Sequence, residues 1–109
     1  MTAIDRLSVA RTLDISAGDD QHLHDELWSA FQSGLNATFQ QLVEARTASD
    51  WRQAAHRLRG LAATYGALEL AALAMTAYRA MAGDIMLLSQ IRERIAALQE
   101  PFLRSDEAR

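Results

Sequence analysis

The chain contains no cysteine, which excludes disulfide frameworks and thiolate chemistry. It has no lysine, so all eleven basic residues are arginine, and it has one proline and five glycines. With so few breakers in an alanine-rich sequence, helices are expected, and no strand pattern competes. No stretch approaches the ~20 apolar residues that cross a bilayer. The start Met1-Thr2-Ala3-Ile4-Asp5-Arg6 lacks the basic-then-apolar order of a secretory leader, so a cytoplasmic location is expected. Excess positive charge is also absent. A formal charge of −3 and a pI near 5.5 leave no electrostatic footprint for nucleic acid or an anionic membrane surface. No glycine-rich nucleotide-binding segment is present, so these residues do not hold ATP themselves.

What is present is 109 residues, 50% hydrophobic and 23% charged, the composition of one small globular domain. Such a chain buries about two thirds of the surface its unfolded form exposes, enough for one core but not for a cleft between lobes. Punctuation at Ala17-Gly18-Asp19-Asp20, Thr47-Ala48-Ser49-Asp50, Tyr65-Gly66-Ala67 and Ala82-Gly83-Asp84 divides it. Leu23, Leu27, Phe31, Leu35, Phe39 and Leu42 recur three and four apart, which predicts an amphipathic helix over 20–46 capped by Asp19 or Asp20. Further helices are predicted over 50–64, capped by Ser49-Asp50 and ending before Gly66, over 67–82, and over 85–99, capped by Asp84 and stopped by Pro101. Short connections make neighbouring helices antiparallel. Ile4, Leu7 and Leu13 are spaced for a short helix that closes the open end. The expected fold is all-α: an up-and-down antiparallel four-helix bundle over 19–103, an N-terminal helical extension over 1–18 and a tail over 104–109.

Chemistry concentrates on the segment from Asp50 to Tyr65. At about 100° per residue, Trp51, Ala54, Leu58, Leu61 and Tyr65 fall within about 40° of the direction opposite His56 and form the expected core face. Arg52, Gln53, Arg59, Gly60 and Ala63 fall within about 60° of His56, in a polar strip of small residues that faces solvent. Glycine inside a helix costs about 1 kcal/mol relative to alanine, so Gly60 points to something that needs the missing side chain. With Ala63 it leaves a flat patch where a partner's backbone or a phosphate can approach the imidazole. Arg59 flanks the patch with a permanent charge and a fork suited to phosphate oxygens.

The run Ala55-His56-Arg57-Leu58-Arg59-Gly60-Leu61-Ala62-Ala63-Thr64-Tyr65-Gly66-Ala67 resembles the signature of histidine phosphotransfer (HPt) domains: His, any residue, Leu, Lys or Arg, Gly, then Gly-Ala after five more positions. With Asp50-Trp51 upstream and Leu70 and Leu73 downstream, the resemblance covers residues 19–103. It implies that His56 takes a phosphoryl group from an aspartate of a response-regulator receiver domain and passes it to another. A neutral imidazole attacks an acyl phosphate without a strong base, and Arg59 offsets charge on the phosphoryl group. It also implies a hybrid histidine kinase as a second partner, no autonomous kinase activity, and Mg²⁺ supplied by the receiver's acidic pocket, so no cofactor or metal site is expected here. Gln53, Gly60, Ala63 and Arg52 are the expected docking residues, and the domain is expected to act as a monomer. One position departs from the family. Twenty-two residues after the histidine, where an acid or amide often orients the ring, stands Tyr78, at a height in an antiparallel hairpin within about 3 Å of His56. Two readings stand: its hydroxyl fixes the imidazole tautomer, or its ring packs with the hydroxyl in water.

Other features read as structural. His22 and His24 point about 160° apart on a helix, which argues against a shared metal site with Asp20 and Asp25. Met75, Met81 and Met86 read as core filling. Trp28 lies off the main stripe and is open to a core, docking or self-association role. Two alternatives to a relay remain: a receiver-binding adaptor or inhibitor using the same face, and a structural bundle that associates through Trp28.

Overall fold

The computed structural model describes residues 3–100, and these are all-helical: α1 (Ala3–Ala17), α2 (Gln21–Glu44), α3 (Ala48–Thr64), α4 (Leu68–Arg79) and α5 (Ile85–Gln99). The expected stop at Pro101, the boundary at 103 and the tail over 104–109 lie outside the described residues. Local chemistry sets most helix starts. Asp20 accepts from the Leu23 amide at 3.0 Å and Asp84 from the Leu87 amide at 3.1 Å, each satisfying a donor that has no intrahelical acceptor. α3 starts earlier than expected. Thr47, rather than Ser49-Asp50, is its cap and accepts from the Asp50 amide at 3.0 Å.

Around the core, α2 packs on α3 and α5, and α4 packs on α3 and α5, while α1 lies against α2, α4 and α5. Phe31, Leu35 and Leu42 of α2, Trp51 and Leu58 of α3, Leu70 of α4, and Ile91 and Leu98 of α5 meet there almost wholly shielded from water. Each such aliphatic side chain contributes about 1.5–3 kcal/mol by its burial. Leu23, Leu27 and Phe39 of the expected α2 stripe are half-buried.

The α3–α4 hairpin is closer than hydrophobic size alone suggests. Ala55 and Ala62 of α3 and Ala74 and Ala77 of α4 are fully buried, whereas Leu61 and Tyr65 are only half-buried. The buried face of α3 is therefore turned toward α4 from its expected direction, because alanines let two helix backbones approach. Gly66, at φ 87°, turns the chain between these helices, a conformation that a side chain disfavours by about 1–2 kcal/mol.

α1 is a full 15-residue helix and a working part of the core. Its buried residues are Asp5, Val9, Leu13 and Ala17, while Ile4 and Leu7 of the expected apolar set are exposed. α4 has no cap from its own N-cap residue, Ala67. Buried Asp5 supplies it instead, accepting from the amides of Glu69 and Leu70, both at 2.9 Å. Beside it, Arg6 donates to the carbonyl of Ala97 at 2.6 Å and to that of Glu100 at 3.3 Å, at the end of α5. Adjacent residues of α1 thus hold the positive end of one helix and the negative end of another with charges of the matching sign. One further expectation changes. Met81 and Met86 are exposed rather than core, being 85% and 72% accessible, and only Met75 is half-buried. Trp28 is half-buried and packs against the core, 6.5 Å from the ring of Phe31.

Candidate functional site

His56 stands midway along α3, on its exposed face. The helix is held from beneath by Trp51, one turn and a half earlier, whose ring is buried and whose Nε1 donates to the carbonyl of Ala77 at 2.7 Å. A buried bond of this kind contributes about 1 kcal/mol net, and it fixes the start of α3 against the end of α4. The residue after Ala77 is Tyr78. Its ring lies 6.4 Å from the imidazole, centroid to centroid, at an interplanar angle of 56°. The spacing expected from the hairpin register is thus realised as a ring-to-ring contact. Among the described residues, the Tyr78 hydroxyl makes no hydrogen bond with the imidazole.

Arg52, Gln53, Gly60 and Ala63 are exposed on the same helix as His56. Arg59 is half-buried, and its Nε is shielded from water with no hydrogen-bond partner. The strip divides at the histidine. On its amino-terminal side Ser49, Arg52, Gln53, His56 and Tyr78 line a shallow depression of about 270 Å³. Arg59, Gly60 and Ala63 lie on the carboxy-terminal side and take no part in it. Ser49 was missed by sequence reasoning. It sits seven residues, or two turns, before His56, and that spacing alone was enough to place it on the same face.

On the α2 side of α3, a second depression of about 240 Å³ is lined by Gln41, Glu44, Asp50 and Arg57 among others. Arg57 donates there to Gln41 at 3.2 Å, so it is engaged with α2 and turned from the histidine strip.

Gly60 is informative because this chain has no packing use for it: a Cβ built there meets nothing within 4 Å. Gly34 and Gly66 are different, since a Cβ at Gly34 would come within 2.8 Å of the Leu61 side chain and one at Gly66 within 3.1 Å of the Ser8 carbonyl oxygen. The intramolecular reason for those two glycines is on view, and no such reason is seen at Gly60 among the described residues. Elsewhere, His22 faces Glu26 at 3.5 Å and His24 faces Asp14 at 3.6 Å, on different sides of α2. Among the described residues no group of three or more His, Cys, Asp or Glu side chains converges as metal ligands.

Among the described residues the domain is all-helical and holds one exposed histidine midway along an open helix face bordered by arginines. The Hpt domain family matches residues 26–101, and the chain belongs to that family. Neither the curated proteins nor the solved structures compared with it give a match. Hpt domains are phosphotransfer carriers in phosphorelays, not kinases, and interact with response-regulator receivers. No helix among the described residues is long and apolar enough to cross a membrane.

Proposed function

We propose that His56 is the phosphoryl carrier, accepting the group from the aspartate of one receiver domain and yielding it to the aspartate of another. The observation that carries this reading is the exposed imidazole at the centre of α3, followed by Leu58, Arg59 and a glycine that the fold does not need. In the forward step a neutral ring nitrogen attacks phosphorus, the N–P bond forms, the acyl-phosphate O–P bond breaks, and the aspartate leaves as a carboxylate. The reverse step returns the group to a second carboxylate. Arg59 offsets charge on the phosphoryl group. Tyr78 orients the imidazole by packing ring against ring. Gln53, Gly60, Ala63 and Arg52 form the docking surface, flat enough for a partner's backbone to approach.

In this reading α2 to α5 are an up-and-down antiparallel bundle spanning 19–103, and α1 belongs to an N-terminal extension over 1–18 that closes one end. The domain works as a monomer in the cytoplasm. Its partners are receiver domains, with phosphate entering from a hybrid histidine kinase and Mg²⁺ supplied by the receiver.

The test is transfer from a phosphorylated receiver to the wild type and to His56→Gln, with the stability of the labelled product recorded. Acid-labile, alkali-stable label on the wild type and none on the variant is the expected result. A receiver that binds both proteins equally and labels neither overturns the relay in favour of an adaptor that sequesters receivers.

A further inference from the structure

The two depressions on either side of α3 differ in charge. The one on the α2 side holds the carboxylates of Glu44 and Asp50 together with the Arg57 guanidinium, which is engaged with Gln41, and His56 does not line it. The one on the α4 side has no acidic residue: its polar groups are the Ser49 hydroxyl, the Arg52 guanidinium, the Gln53 amide, the imidazole and the Tyr78 hydroxyl. All five can donate a hydrogen bond. An anion attached to His56 is therefore met by donors in the depression that the imidazole itself lines.

Helix geometry favours the same direction. The Cα–Cβ bond of a helical residue tilts toward the helix N-terminus, so the ring of His56 covers the turn that holds Arg52 and Gln53. Arg52 is exposed and, among the described residues, forms no ion pair or hydrogen bond. Its fork is free to meet phosphoryl oxygens. Arg59 has no such freedom, because its Nε is enclosed and the residue is half-buried.

From this we infer that the phosphoryl group on His56 lies in the depression on the amino-terminal side of the ring and is held by Arg52, with Ser49 and Tyr78 as its neighbouring donors. Arg52 is then a phosphoryl-positioning residue of the carrier itself, as well as part of the docking face, while Arg59 acts on the charge from a distance. The inference rests on His56 being the phosphorylated residue.

Phosphoramidate separates this role from docking because no receiver takes part: its P–N bond breaks, ammonia leaves with the proton, and the imidazole N–P bond forms. Wild type, Arg52→Gln, Arg52→Lys and Arg59→Gln are treated with it, and phosphohistidine is followed by ³¹P NMR. Arg52→Gln is expected to slow labelling about fivefold, on the scale of one exposed ionic contact, and to move the ³¹P resonance of the labelled protein. Arg52→Lys is expected to recover most of the rate, and Arg59→Gln to have the smaller effect. Thermal unfolding of the wild type and the two Arg52 variants should coincide, since Arg52 makes no contact that supports the fold. Normal labelling and an unmoved resonance in Arg52→Gln, or a larger loss in Arg59→Gln, overturn this inference alone. An unlabelled wild type overturns the relay at His56 together with it.

Discussion

Replacing Gly60 with alanine separates what the fold needs from what a partner needs. Gly60 lies inside α3, with its carbonyl accepting from the Thr64 hydroxyl at 2.8 Å, and a Cβ there touches nothing within 4 Å. The added methyl group restricts the unfolded chain and meets no obstacle in the folded one. The expected gain is about 1 kcal/mol. For a domain of this size that raises the melting temperature by about 4–8 °C, readable by far-UV circular dichroism. Labelling of His56 by phosphoramidate should be unchanged, because the methyl group lies on the side of the ring away from the depression. Transfer from a phosphorylated receiver should fall, because the close approach needs the bare backbone. A lower melting temperature would refute the account of Gly60, since it would show that the fold itself requires the glycine. A higher melting temperature with undiminished transfer from the receiver would sink its docking role.

Asp5→Ala removes both side-chain acceptors from the start of α4 at a buried site, and should destabilise the domain by about 2–3 kcal/mol; an unchanged urea midpoint would show that the cap contributes nothing. Gly66→Ala combines left-handed backbone strain with crowding against Ser8 and should cost about 2 kcal/mol or more, seen as a fall in melting temperature. Tyr78→Phe retains the ring that meets His56 and should keep most of the transfer rate, whereas Tyr78→Ala should lose it. Equal damage from the two would return the role to the hydroxyl.

The parts legible in the sequence were those written in near neighbours. The apolar stripe of α2, the caps at Asp20 and Asp84, the turn at Gly66 and the solvent-facing strip around His56 all follow from a helical period and from residues within four positions of one another. The structure places Tyr78 against His56, as the hairpin register suggested, since both positions count outward from one tight turn.

Less legible was whatever depended on which helix lay opposite. Ala55 and Ala62 look neutral in the sequence, yet they are buried because α4 packs against them through its own alanines, and this turns α3 from its expected orientation. Met81 and Met86 have the composition of a core but fall where the chain leaves it. Asp5 and Arg6 look like an ordinary polar pair near the start of a helix. Their targets lie more than sixty residues away in α4 and more than ninety away in α5, beyond any local pattern. The all-helical class, His56 as the residue to test and the ends of most helices could be read from the chain alone, because periodicity, capping and turn chemistry act over a few residues. Which charges border the imidazole, which glycine the fold can do without, and which residues cap helices other than their own became visible with the packed helices, because each depends on segments brought together by the core.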